Sequence, residues 1–126
     1  MSQDIISDTL NQMMNALRAG KQEVEVKRYS KFLLSILAIA KLRGYVESYQ
    51  IDQAKKTLKI KFGKLNKCNA IKPRFVIKAG EIDRYIKRYL PAKNLGIIII
   101  STSQGLMTHQ TSLEKNIGGS LIAYFY

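Results

Sequence analysis

The spacing of apolar residues divides the first half of the chain into short segments of alternating character. From Asp8 to Leu17, apolar residues recur at Leu10, Met13, Met14 and Leu17, and Gly20 follows. That spacing predicts a helix with one buried face, capped by Ser7 or Asp8 and stopped at the glycine. The methionines read as core filler, because an unbranched thioether fits irregular gaps. Glu23–Lys27 alternates with period two and predicts a short strand with Val24 and Val26 inward. Ser30 stands as the N-cap of a second helix whose face is Leu33, Ile36, Leu37 and Ala40, ended by Gly44. Tyr45–Ile51 and Thr57–Phe62 predict two strands around the polar turn Asp52–Lys56. In the second, Leu58, Ile60 and Phe62 face one way and Lys59 and Lys61 the other. This half reads α-β-α-β-β.

Gly63–Lys67 is charged and without period, and it separates an N-terminal subdomain, 1–64, from a C-terminal one, 65–126. Ile71–Lys78 is strand-like, but Pro73 limits it to an edge or an entry point. Ile82, Tyr85, Ile86 and Tyr89 give Glu81–Tyr89 a helical face, and Pro91 ends it. Ile97–Ile100 is a run of four isoleucines, too short for a membrane span and too β-branched for a helix, so a buried strand is expected. It stops in Ser101-Thr102-Ser103-Gln104-Gly105. A short polar helix near Thr111–Asn116, a turn at Gly118-Gly119 and a last strand follow. In that strand Leu121, Ala123 and Phe125 alternate with Ile122, Tyr124 and Tyr126. The expected fold class is α+β: two small α/β-type subdomains, the second β-rich with short helices.

Charge changes this picture more than composition does. The 126 residues are 46% hydrophobic, enough for a core, and 21 Lys and Arg against 9 Asp and Glu leave a net charge of +12. Residues 1–66 carry 12 basic and 6 acidic side chains and residues 67–126 carry 9 and 3, so the excess is not confined to a tail. Such a field favours a polyanion, either nucleic acid or an anionic membrane surface. Membrane-surface binding calls for a basic amphipathic helix, whereas the cations here fall mainly on expected strands and loops. From Lys55 to Lys93 there are thirteen basic residues and two acidic ones, interleaved with Phe62, Phe75, Tyr85 and Tyr89. A solvated lysine face is the ordinary explanation of such a run. Its density favours phosphate contacts, which position a backbone without reading sequence. The lone Cys68 excludes an internal disulfide and a cysteine-based zinc site, and without a second histidine no metal site or cofactor is expected. Neither a signal peptide nor an apolar 18-mer is visible, so the expectation is a soluble, intracellular protein.

The hydroxyl-rich turn is the candidate for specificity. Hydroxyls both donate and accept, which suits phosphates, 2′-hydroxyls and the shallow minor groove of RNA. Gly105 permits positive φ, and Gly118 and Gly119 present no side chain to obstruct an approach, provided the two loops meet. The same residues also read as an ordinary strand end with turn residues. Ser101, Ser103 and His109 lack a nucleophile elbow and an orienting acid, and His109 reads as a surface residue. The TSQG turn before a short helix could hold a phosphate, although P-loop spacing is missing. The residues alone thus leave three readings open: a structural RNA-binding protein, a general double-stranded RNA-binding module, and a small nucleotide-binding enzyme.

The motif IIIISTSQGLMTH, followed by EKNIGGSLIAYFY, closely resembles the C-terminal signature of the universal small-subunit ribosomal protein eight. DTLNQMMNALRAGK, YSKFLLSILAIAKLRGYV and IKPRF agree in order and spacing, so the likeness spans essentially the whole chain and resembles the archaeal and eukaryotic branch. The resemblance implies a non-catalytic constituent of the small ribosomal subunit, cytoplasmic in the ribosome. It would bind the central domain of small-subunit rRNA early in assembly, next to proteins five and twelve, with no membrane partner and no small-molecule substrate. By motif position, Ser101, Thr102, Ser103, Gln104 and Gly105 would contact RNA, with Gly118 and Gly119 beside them. Ser30 and Lys31 match an element that meets the RNA backbone, Asn15 matches a recurrent Asn-Ala pair, and Lys72 and Arg74 would meet phosphates.

Overall fold

The computed structural model describes residues 5–71, 76–92 and 95–126. The chain divides into two units, Met1–Asn69 and Ala70–Tyr126. The first contains α1 (Ile5–Arg18), β1 (Glu23–Val26), α2 (Lys31–Leu42), β2 (Val46–Asp52) and β3 (Thr57–Phe62). This is the expected α-β-α-β-β order. Its antiparallel sheet runs β1-β3-β2, with α1 packed on β1 and α2 on β2. Alternation along β3 places Leu58, Ile60 and Phe62 in the core and leaves Lys59 and Lys61 exposed.

The helix boundaries follow from local chemistry. The Ser30 hydroxyl accepts the Leu33 N–H at 3.2 Å, capping α2, and Leu33, Ile36, Leu37 and Ala40 are its buried residues. Both helices close in the same way. Gly20 (φ +79) and Gly44 (φ +86) turn left-handed, and each end is tied by paired backbone bonds, Lys21 N–H to Ala16 O at 3.0 Å and Tyr45 N–H to Ala40 O at 3.0 Å among them. One expectation fails at the start of α1. The helix already includes Ile5, so Ser7 and Asp8 lie inside it and do not cap it, and Ser7 is buried. The buried face is Ile6, Leu10, Met13 and Ala16, while Met14 and Leu17 are half-buried. Met14 instead accepts the Cys68 N–H at Sδ, 3.2 Å away.

The second unit holds β5 (Val76–Ile77), a 3-10 turn (Ala79–Glu81), α3 (Ile82–Tyr89), β6 (Ile97–Thr102), β7 (Gly105–Thr108), α4 (His109–Lys115) and β8 (Gly119–Phe125). The unit boundary falls within β4 (Cys68–Ala70), and the sheet runs β4-β8-β6-β7, with β5 also paired to β8. Ile97–Ile100 and Leu121–Phe125 are buried at every position, so both faces of these two central strands are covered. That is why their sequences are continuous apolar runs and do not alternate with polar residues. Ile82, Ile86 and Leu90 join Ile98, Ile100, Leu121 and Tyr124 in one core, with Tyr85 and Tyr89 packed against it. Two strands escaped the sequence reading. β4 lies between the junction Gly63–Lys67 and the expected strand Ile71–Lys78, and β7 follows the turn at which the isoleucine strand was expected simply to end. Among the described residues, no helix is long and apolar enough to cross a membrane.

Candidate nucleic-acid interface

The antiparallel pairing of β6 with β7 carries the hydroxyl-rich segment to one end of the second sheet. Its register runs Ile99 with Thr108, Ile100 with Met107, Ser101 with Leu106 and Thr102 with Gly105. Ser101 and Thr102 therefore still belong to the strand, and Ser103-Gln104 alone forms the tip. Neither tip residue has positive φ, whereas Gly105 takes φ +110, a conformation that strongly favours glycine. The Thr102 hydroxyl is committed to the turn. It donates to the Gly105 carbonyl at 2.9 Å and accepts the Gln104 N–H at 3.1 Å. Ser103 and Gln104 are exposed, Ser101 is half-buried, and Gln104 Oε1 accepts from Lys115 Nζ at 3.3 Å. Thr102 thus fixes the turn, and Ser103 and Gln104 are presented by it.

The two glycine-bearing loops do meet. Ser101 pairs with Ser120, and a side chain at Gly119 would collide with the Ser101 carbonyl oxygen. One at Gly118 would collide with the Ile77 carbonyl and come within 2.8 Å of Lys78 Cα. The structural reason for both glycines is therefore the close approach of backbone to backbone. By contrast, a Cβ on Gly105 would meet nothing within 4 Å, and only the backbone conformation requires glycine there. Lys78, one of the thirteen basic residues from Lys55 to Lys93, and Lys115, which the sequence reading did not single out, are both exposed at this end. Nothing local marks Lys115, which meets Gln104 from eleven residues away.

α4 braces the whole arrangement. Thr108 caps it, accepting the Thr111 N–H at 3.3 Å. His109, expected on the surface, is buried, and its Nδ1 accepts the Ile98 N–H at 3.1 Å. β7 ends at Thr108 opposite Ile99, so the imidazole takes over the ladder bond where the strand partner runs out. Accepting at Nδ1 requires that this nitrogen carry no proton. Ser112 is also buried and donates to the Ile117 carbonyl, while Asn116 turns the chain at φ 55.

The other candidate residues lie elsewhere. Ser30 is the α2 cap and Lys31 is exposed on its first turn; Asn15 is exposed on α1. Lys72 and Arg74 lie outside the described residues. Lys59 and Lys61 are engaged with carboxylates, Lys59 with Glu23 at 3.4 Å and Lys61 with Glu47 at 3.7 Å, which offsets charge on that sheet face. Phe62 is core, and Tyr85 and Tyr89 pack against core. No group of His, Cys, Asp and Glu among the described residues could hold a metal ion. Burial pushes the Cys68 thiol up to about 12, so it is not a nucleophile near neutral pH. The end of the second sheet thus offers hydroxyls, an amide, backbone groups and two lysines, a set suited to phosphates and ribose hydroxyls.

Residues 4–126 match the family model described as ribosomal protein S8. A relative, the small ribosomal subunit protein uS8 of Nanoarchaeum equitans (strain Kin4-M), is 40% identical over 129 residues, with all of both chains covered. The chain belongs to the ribosomal protein S8 family, and its role is that of a structural protein of the small ribosomal subunit.

Proposed function

We propose that the protein binds directly to the central domain of small-subunit rRNA and supports subunit assembly, with the C-terminal unit supplying the principal contacts. The observation that carries this reading is the braced turn Thr102–Gly105, which holds Ser103 and Gln104 outward beside Gly118 and Gly119. A turn fixed from within loses little conformational freedom on binding, so its contacts discriminate at low cost. In this reading Ser101, Ser103 and Gln104 meet ribose and phosphate groups, Thr102 and Gly105 hold the geometry, and Gly118 and Gly119 let the two loops lie together. Ser30, Lys31, Lys72 and Arg74 add backbone contacts. The protein acts without catalysis, in the cytoplasmic ribosome, next to small-subunit proteins five and twelve.

A salt titration tests the proposal, with binding to a central-domain rRNA helix measured beside binding to a scrambled duplex of equal length. Counterion release weakens both as salt rises. A specific helix that keeps a large advantage at high salt supports recognition by the turn. Coincident curves would reduce the protein to a general double-stranded RNA binder.

A further inference from the structure

The first unit gathers cations at one corner. After α2 the chain turns at Gly44 and enters β2, and two backbone hydrogen bonds staple this turn to the exit of β3. Gly63 N–H donates to Tyr45 O at 3.0 Å and Lys64 N–H to Gly44 O at 2.8 Å. A side chain on Gly63 would run into the Gly44 carbonyl, so the corner closes backbone on backbone. Lys41, Arg43 and Lys64 are exposed around the open depression this creates. Its one carboxylate, Glu47, is already approached by Lys61 at 3.7 Å. The Lys41 amine lies 5.9 Å from the centre of the Tyr49 ring, an attraction that restrains a long side chain.

Charge at the end of a helix has an ordinary explanation, since cations complement the C-terminal dipole. That accounts for Lys41 and Arg43 but not for Lys64, which arrives from β3. Nor does it account for Leu42, 86% exposed between the two cations. An apolar side chain ringed by positive charge matches a partner whose surface alternates anionic groups with less polar ones. A sugar–phosphate backbone has that character.

We infer that the Gly44–Gly63 corner is a second RNA-contacting surface, with Lys41, Arg43 and Lys64 on phosphates and Leu42 against ribose. The inference rests on the proposal that this protein binds rRNA, and it adds a surface at the opposite end of α2 from Ser30 and Lys31. A helix of 12 residues separates the two by about 18 Å.

Tethered cleavage tests it on the full chain. The buried Cys68 leaves a new surface cysteine as the reactive thiol, so an iron chelate that generates hydroxyl radicals can be attached to Leu42→Cys or, separately, to Glu114→Cys on α4. Each is bound to intact, protein-free small-subunit rRNA. Discrete RNA cuts from both tethers support the inference. Cuts from position 114 without cuts from 42 would overturn it and leave the proposed function standing. Cuts from neither would remove both. Cuts from 42 alone would support the corner and count against the turn.

A second measurement removes the charge. Lys41→Gln, Arg43→Gln and Lys64→Gln together should flatten the dependence of log affinity on log salt by roughly 0.7–0.9 for each phosphate no longer neutralised. An unchanged slope would overturn the inference.

Discussion

His109 illustrates how a single side chain here carries structure. Its Nδ1 satisfies the Ile98 N–H in the buried part of β6, so His109→Leu leaves a buried donor unpaired. Such a loss costs about 1–3 kcal/mol, and denaturant unfolding should show it. His109→Asn, whose side-chain oxygen can accept the same bond, should recover part of that loss; equal destabilisation by the two would show that ring packing matters more than the bond. Cys68 carries a pH effect. Its thiol is held in the neutral form up to about 12, against 9.0 for an unperturbed group. The folded chain therefore keeps a proton that the unfolded chain gives up between those values, and stability must fall as pH rises through that window. The full contribution is present below about pH 9 and disappears toward pH 12. Comparison with Cys68→Ala over this range isolates the effect of the thiol from that of the rest of the chain, and the alanine variant should show the shallower alkaline decline.

The β6–β7 hairpin and the start of β8 separate two kinds of glycine. Gly105 needs a left-handed backbone but has open space around it, whereas Gly119 sits against the Ser101 carbonyl. Gly105→Ala should therefore fold, at about 1–2 kcal/mol of backbone strain, and lose affinity for specific RNA through a displaced turn. Gly119→Ala forces β8 away from β6. Overpacking of this kind typically costs about 1–3 kcal/mol, and it should separate the two loops as well. Thermal melts beside RNA binding distinguish the two outcomes. A Gly119→Ala protein as stable as the parent would mean that the strands relax more easily than the geometry implies. α4 has only seven residues, and its stability comes from what it joins: Thr108 at its start, His109 on β6, Ser112 on Ile117.

Over the whole molecule, the +12 charge favours polyanions in general, and pairing with carboxylates lowers it locally. The outer face of the first sheet pairs Lys59 with Glu23 and Lys61 with Glu47, with side chains about half exposed. Exposed pairs of this sort contribute about 0–1 kcal/mol to stability. Replacing Lys59 and Lys61 together by alanine should leave unfolding nearly unchanged and weaken binding to specific and scrambled RNA alike. Selective loss of the specific complex would instead place this face in the recognition surface.

The α-β-α-β-β order, the α2 cap at Ser30 and the buried isoleucine strand were legible in the chain itself. Each depends on local chemistry: the period of apolar residues, a hydroxyl before a helix, glycine after one. The turn at Ser101–Gly105 was legible as a place, because hydroxyls ahead of a glycine break an apolar run. What each of its residues does was not. Thr102 is occupied within the turn, Ser103 and Gln104 are presented, and Lys115 reaches Gln104 only because α4 folds back. β7 was hidden because four residues are too few to show a period, and His109 because its partner, Ile98, lies across a hairpin. The adjacent Gly118 and Gly119 read locally as a turn with no side chain to obstruct an approach, and the structure shows close backbone approaches to Ile77 and Ser101. Local propensity and periodicity therefore determined most of the elements, and the residue motifs themselves carried the family resemblance. Only tertiary structure decided which polar groups are spent holding the loops and which are left facing outward, because hydrogen bonds between distant residues leave no spacing in the sequence.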